Sequence, residues 1–179
     1  ANVSGYVPTR TGYTFKGWST SSAATSGSTS TVTVGFNTTL YATWEANKYI
    51  VNFDNGLYTN TVTFGGTYGS LPTPSKTGHT FLGWYKADGT QLNSTDAVEA
   101  SDVYVTSKWE INKYTITWVR ASGRTTTDTY EYGAKINPLA PTAAGKNETE
   151  HYSYAWNSEI DEFATRNVTY TEIKTSEAH

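Results

Sequence analysis

The chain has 179 residues with no Cys and no Met; only 16% are charged, and the formal net charge is −3. These figures exclude disulfide scaffolds, Cys-ligated zinc, iron–sulfur clusters and thiol catalysis, and 13 Lys+Arg leave no electrostatic footprint for nucleic acid or an anionic membrane surface. Thr and Ser supply 49 residues and aromatics 15%, which argues against disorder and for a pleated, half-buried β surface, while no apolar run nears the roughly 18 residues of a membrane span.

The first recognisable block is Thr11-Gly12-Tyr13-Thr14-Phe15-Lys16-Gly17-Trp18, followed by a closing strand through Leu40, Tyr41, Ala42 and Trp44. Lys48 to Phe53 then alternates as a strand, Asp54-Asn55-Gly56 is a hairpin turn, and Thr59 to Phe64 returns. Gly65-Gly66-Thr67-Tyr68-Gly69 reads as a loop, extended by Pro72 and Pro74. Thr77-Gly78 opens a strand that ends at Trp84 and Tyr85, and Asp88-Gly89 turns the chain again. Asp96 to Ala100 is the one stretch expected to make a short helical turn, and Asp102 to Trp109 closes the unit. The prediction is a β-rich chain with about four strands per unit and at most one short helix.

These elements recur. Thr11 to Trp18 matches Thr77-Gly78-His79-Thr80-Phe81-Leu82-Gly83-Trp84 at an offset of 66, and Trp44-Glu45-Ala46-Asn47-Lys48-Tyr49 matches Trp109-Glu110-Ile111-Asn112-Lys113-Tyr114 at 65. A more worn copy follows, with Tyr152-Ser153-Tyr154-Ala155-Trp156 in place of Phe-x-Gly-Trp and Val168-Thr169-Tyr170 in the closing strand. The expected organisation is a partial first repeat over 1–46 that lacks its two opening strands, a complete second over 47–111, and a divergent third over 112–179. Units of about 65 residues have small cores. Without Cys, aromatic packing is the available compensation, so Trp18, Trp84 and Trp156 at one repeat position, and Trp44 and Trp109 at another, are predicted core residues. The joints Glu45-Ala46-Asn47 and Glu110-Ile111-Asn112 are short, which predicts a semi-rigid rod.

The Thr-Gly-Tyr-Thr-Phe-x-Gly-Trp block, the Leu-Tyr-Ala-x-Trp closing strand and the Asn-Lys-Tyr-x-Val-x-Phe opening strand resemble the Listeria–Bacteroides repeat, the family of the internalin B-repeat. The resemblance implies tandem β-grasp-like (ubiquitin-like) units in a secreted or wall-attached bacterial surface protein. It implies stalk, spacer or adhesion roles and no enzymatic activity or cofactor. A host or bacterial surface protein, or a glycan, is the expected kind of partner.

The residues supply no competing chemistry. His79 replaces Tyr13 of the matching block, His151 sits in a polar stretch, and His179 is terminal; none forms a catalytic pattern. The Gly-rich 65–70 segment lacks the Lys-Ser/Thr of a phosphate loop. Asp54-Asn55-Gly56 lacks the later acidic ligands of a calcium loop. Glu159, Asp161 and Glu162, and also Asp96, Glu99 and Asp102, read as solvated faces. Leu71-Pro72-Thr73-Pro74 lacks the Thr-Gly ending of a sorting signal. Asn-x-Ser/Thr at Asn2, Asn37, Asn93, Asn147 and Asn167 follows from the hydroxyl-rich composition.

Two further expectations concern binding. Tyr58, Tyr85, Trp118 and Tyr130 are candidate exposed rings for a glycan; Trp118 takes the place of Phe53 and, being larger, is expected to be only partly covered. The absent opening strands of 1–46 leave two readings: the strands lie upstream in a longer array, or the unpaired edge accepts a strand from another molecule, giving self-association into filaments.

Overall fold

The computed structural model describes residues 1–178; His179 lies outside the described residues. The described residues form twelve strands and no helix: β1 Tyr13–Ser19, β2 Tyr41–Ala46, β3 Lys48–Phe53, β4 Tyr58–Thr63, β5 His79–Tyr85, β6 Gln91–Leu92, β7 Val103–Ile111, β8 Lys113–Val119, β9 Thr125–Glu131, β10 Gly145–Lys146, β11 Glu150–Trp156 and β12 Val168–Ala178. The chain divides into two compact units. One holds residues 1–73 and 82–108, the other the described residues of 74–81 and 109–178.

One five-stranded sheet has the order β4-β3-β7-β5-β6, another β10-β11-β12-β8-β9, and β1 pairs with β2 alone. Read from the first hairpin, the two large sheets have the same strand order: a central parallel pair with a further strand outside each member. Val51 faces Val103 and Phe53 faces Val105 across β3 and β7; Ile116 faces Val168 and Trp118 faces Tyr170 across β8 and β12. A side-chain oxygen starts each parallel pairing. Asp102 Oδ1 accepts the Ile50 N–H at 2.7 Å, and Asn167 Oδ1 accepts the Thr115 N–H at 2.8 Å.

Alternation decides what is buried. Val51, Phe53, Val103 and Val105 point to the core with Val62, Tyr68, Trp84, Leu92 and Val98. In the other unit Ile116, Trp118, Ile136, Ala164 and Tyr170 form the buried cluster, flanked by Tyr130, Leu139, Trp156, Ile160 and Val168. Residues 1–46 bury one large apolar side chain, Val3.

The helical turn expected at Asp96 to Ala100 is absent. The backbone there is drawn into cross-links with the Gly-rich loop: Tyr68 N–H donates to Asp96 O at 3.2 Å, and Val98 N–H to Gly66 O at 3.0 Å. Groups committed to another segment cannot close a helical turn.

The lost glycine of the third copy has a visible consequence. Gly17 (φ +115°) and Gly83 (φ +126°) take a conformation that L side chains rarely adopt, and the β1–β2 register shifts between Phe15 and Gly17. The third copy has Ala155 at this position, and β11 pairs with β12 in unbroken register from Glu150 to Trp156.

Candidate functional site

The most regular feature is an indole clamp. Trp18 Nε1 donates to Tyr6 O at 2.9 Å, Trp84 Nε1 to Pro72 O at 2.7 Å and Trp156 Nε1 to Leu139 O at 2.8 Å. Each ring also packs on neighbours: Trp18 edge-on to Phe15 at 5.6 Å, Trp84 to Phe53 at 4.8 Å and Trp156 to Trp118 at 5.1 Å. Trp84 is fully buried, whereas Trp18 and Trp156 are half-buried. Trp44 and Trp109, also half-buried, lie against Phe15 at 5.6 Å and Phe81 at 5.2 Å.

A second feature links the two motifs that the sequence repeats. In the first unit Asn47 N–H donates to Gly12 O at 2.9 Å, Phe64 N–H donates to Asn47 O at 2.9 Å, and Thr14 Oγ1 donates to Asn47 Oδ1 at 2.5 Å. In the second unit Asn112, Gly78, Tyr132 and Thr80 repeat this pattern at 2.9, 2.8 and 2.7 Å. The aromatic ring lies against the glycine in both: an added Cβ would stand 2.2 Å from the Phe64 ring at Gly12 and 2.1 Å from the Tyr132 ring at Gly78. Both glycines have positive φ, +77° and +69°. The Thr-Gly-x-Thr and Asn-Lys-Tyr motifs are therefore two halves of one clasp.

The predicted exposed rings fare unequally. Trp118 is a correction: it is 0% exposed, stacked on Tyr170 at 5.1 Å and bonded through Nε1 to Asp128 Oδ2 at 2.9 Å. The parallel neighbour β12 and Trp156 cover the larger ring. Tyr130 is half-buried against that core, and its hydroxyl accepts the Asn137 N–H at 3.2 Å. Tyr85 is half-buried under the Lys108 ammonium, 3.9 Å from the ring centre. Tyr58 is 40% exposed and leans edge-on against Trp84 at 6.5 Å.

The acids are tied to separate partners. Asp161 pairs with Arg166 at 2.8 Å, Glu162 with Lys135 at 3.4 Å, and Glu99 with Lys86. Asp54 accepts both the N–H and the hydroxyl of Ser107 at 2.8 Å. Among the described residues no group of three or more His, Cys, Asp or Glu is placed to hold a metal ion. His79 Nδ1 lies 2.9 Å from Thr77 O, and His151 is exposed on β11.

One ionisable network has almost no signature in the sequence. Glu172 is 4% exposed, and its carboxylate accepts from Thr142 N–H (2.6 Å), Ala121 N–H (3.0 Å), Thr142 Oγ1 (3.0 Å) and Arg120 Nη1 (2.9 Å). Burial alone would raise its pKa. The two backbone N–H groups, the Thr142 hydroxyl and Arg120 outweigh that and hold it at about 2. The only sequence signal is an acid in an inward register of the closing strand, where the second copy has Ser107.

Fold and surface together define a class: tandem all-β repeats whose recurring residues clamp each copy and tie it to the next, with no grouped catalytic side chains among those described. The chain belongs to the Listeria–Bacteroides repeat family, whose profile matches residues 2–43 and 49–108. It is 33% identical over 169 residues to a protein of Evansella cellulosilytica provisionally named a membrane protein, covering 86% of this chain and 25% of the relative. A second protein of that organism, provisionally named a Gly-rich membrane protein, is 32% identical over 90% of this chain and 20% of its own length. Internalin H of Listeria monocytogenes is 35% identical over 96 residues, 51% of this chain and 17% of the relative. The chain thus spans a quarter or less of these relatives. No solved structure matches, and no helix among the described residues is long and apolar enough to cross a membrane.

Proposed function

We propose that this chain is a non-enzymatic repeat segment of a secreted or cell-surface bacterial protein, serving as a stalk or spacer that carries adhesive parts. The supporting observation is the clasp at Asn47 and Asn112, built twice from Gly, Thr, Asn and an aromatic residue with nearly the same distances. Recurring identity at a joint, rather than at a pocket, is what a spacer needs. The membership of the repeat family and the likeness to Internalin H favour the surface location. The central parallel pair flanked by a strand on each side supports a β-grasp-like unit without its helix. Labelling intact cells with an antibody raised against this chain, with and without prior protease shaving, tests the location. Signal that appears only after lysis would refute it.

A second reading, strand addition to residues 1–46, draws on two observations. Trp18, Leu40, Val3 and Tyr6 border an open apolar hollow of about 310 Å³, and Asn37 stands at the repeat position where Asp102 and Asn167 anchor an incoming strand. Light-scattering mass across a concentration series tests it: linear growth supports assembly, and a constant 19.6 kDa rejects it.

A further inference from the structure

The third copy departs from the second at the tip of its first hairpin. Phe53 faces Tyr58 across β3 and β4, while Trp118 faces Thr126 across β8 and β9. The connection is three residues longer in the third copy, and the insertion brings Arg120, Ser122 and Arg124. In the second copy the Tyr58 ring leans on Trp84. In the third, Thr126 stands at the register of Tyr58, and it is the Arg120 guanidinium that approaches the equivalent indole, 5.2 Å from the Trp156 ring centre. Beside Arg120 and Thr126 lies a cleft of about 400 Å³, lined also by Ser122, Arg124, Leu139 and Thr142.

The lining has a definite chemistry. Arg120 is fixed from behind: Nη1 donates to Ala140 O at 2.8 Å and to Glu172 Oε1 at 2.9 Å. Glu172 is engaged on both oxygens by this side chain, Thr142 and Ala121, and its charge is offset by Arg120, so the net positive charge of the cleft is that of Arg124. Arg124 is exposed and forms no ion pair among the described residues. Two guanidinium groups suit a planar carboxylate. The hydroxyls of Ser122, Thr126 and Thr142 suit the hydroxyls of a sugar ring, and the volume lies in the range of small-ligand sites. We propose that this cleft binds a uronic acid, a sugar ring carrying a carboxylate, through Arg120 and Arg124. The site stands apart from the spacer reading and uses none of the four candidate tyrosine and tryptophan rings.

Amide NMR titration of the full chain with methyl β-glucuronide tests the proposal, with methyl β-glucoside and acetate as controls. The expected result is saturable shifts at Ala121, Ser122 and Thr142 with the glucuronide, at least tenfold weaker with either control. Removing one charge-assisted contact with Arg124→Gln should weaken binding about tenfold. Thr126→Tyr restores the ring of the second copy at an exposed strand position and should abolish binding with the spectrum otherwise intact. If that variant does not fold, Arg124→Gln decides. No shifts with the glucuronide, or equal binding of the glucoside or acetate, would overturn the proposal, as would unchanged affinity in Arg124→Gln.

Discussion

Trp18 and Trp84 occupy the same place in the same sequence block, and each indole donates to a carbonyl twelve residues earlier. One is half-buried and the other is 1% exposed. The difference comes from β3 and β4. Phe53 arrives on β3 and Tyr58 on β4, and both rings pack against Trp84, whereas the sheet of β1 and β2 has no further strand. The local motif therefore sets the direction of the ring and its hydrogen bond. The hydrophobic stabilisation is set by strands that lie elsewhere in the sequence.

The largest expected effect separates these two rings. Trp84→Ala should cost about 3–5 kcal/mol, the range for emptying a packed aromatic site. Trp18→Ala should cost about 1–2 kcal/mol, because less apolar area returns to water. Urea unfolding of both variants against the parent chain measures the gap. Equal costs would mean that the first segment has a core of its own, and the contrast between the two copies would collapse.

The clasp provides the next test. At Gly78 an alanine meets both the left-handed backbone (φ +69°) and the Tyr132 ring at 2.1 Å. Gly89 has a comparable φ of +89° with nothing within 4 Å. Gly89→Ala should cost about 1 kcal/mol, the backbone penalty alone, and Gly78→Ala about 2–3 kcal/mol once the ring must move. Gly12→Ala should follow Gly78→Ala, since Phe64 lies 2.2 Å from its added Cβ. If all three variants lost the same stability, the ring contact would carry nothing and the joint would rest on its backbone bonds.

Strands, turns and repeat positions were legible because they are local: alternation, Asp-Asn-Gly turns and recurring Trp each read from a few adjacent residues. The clasp was half legible. Both of its motifs stood out by repetition, but 33 residues separate Thr14 from Asn47, and nothing in either motif names the other. Trp118 departs from the expectation of partial exposure because its burial depends on a parallel partner about 50 residues away in sequence, Tyr170 on β12. Size suggested incomplete cover, yet a third-copy Tyr where the second has Val105 enlarges the facing surface to match. Glu172 was invisible for the same reason: its partners come from a hairpin tip and a later loop, and its register on β12 becomes meaningful only with both in place.

The same polar position separates the second and third copies. In the second, Asp54 in the turn accepts from Ser107 on the closing strand; in the third, Glu172 on the closing strand accepts from the turn residue Ala121. The acid has changed sides. Its folded pKa of about 2 lies below the ordinary 4.5, so the carboxylate stabilises the fold fully above the unfolded value and loses that contribution as pH falls through the folded one. Urea midpoints of the parent should therefore decline between pH 4.5 and 2, and those of Glu172→Gln should vary less across that window. Parallel profiles would place the acid sensitivity elsewhere.

The smallest expected effect bears on what holds the first copy together. Lys16 and Glu45 pair across β1 and β2 at 3.0 Å, with side chains 43% and 65% exposed; Leu82 stands in the second copy where Lys16 stands in the first. An ion pair this wet gains little Coulomb energy and gives up side-chain entropy. A double-mutant cycle of Lys16→Ala and Glu45→Ala should yield a coupling of about 0.2–0.5 kcal/mol that fades in high salt. A coupling above about 1 kcal/mol would mean that surface charge replaces part of the missing core. A coupling near the expected value leaves the two-stranded segment dependent on its clasp to Phe64 and on the partial cover over Trp18. Its stability would then track the second copy's, and Phe64→Ala should lower the unfolding midpoint of both copies together.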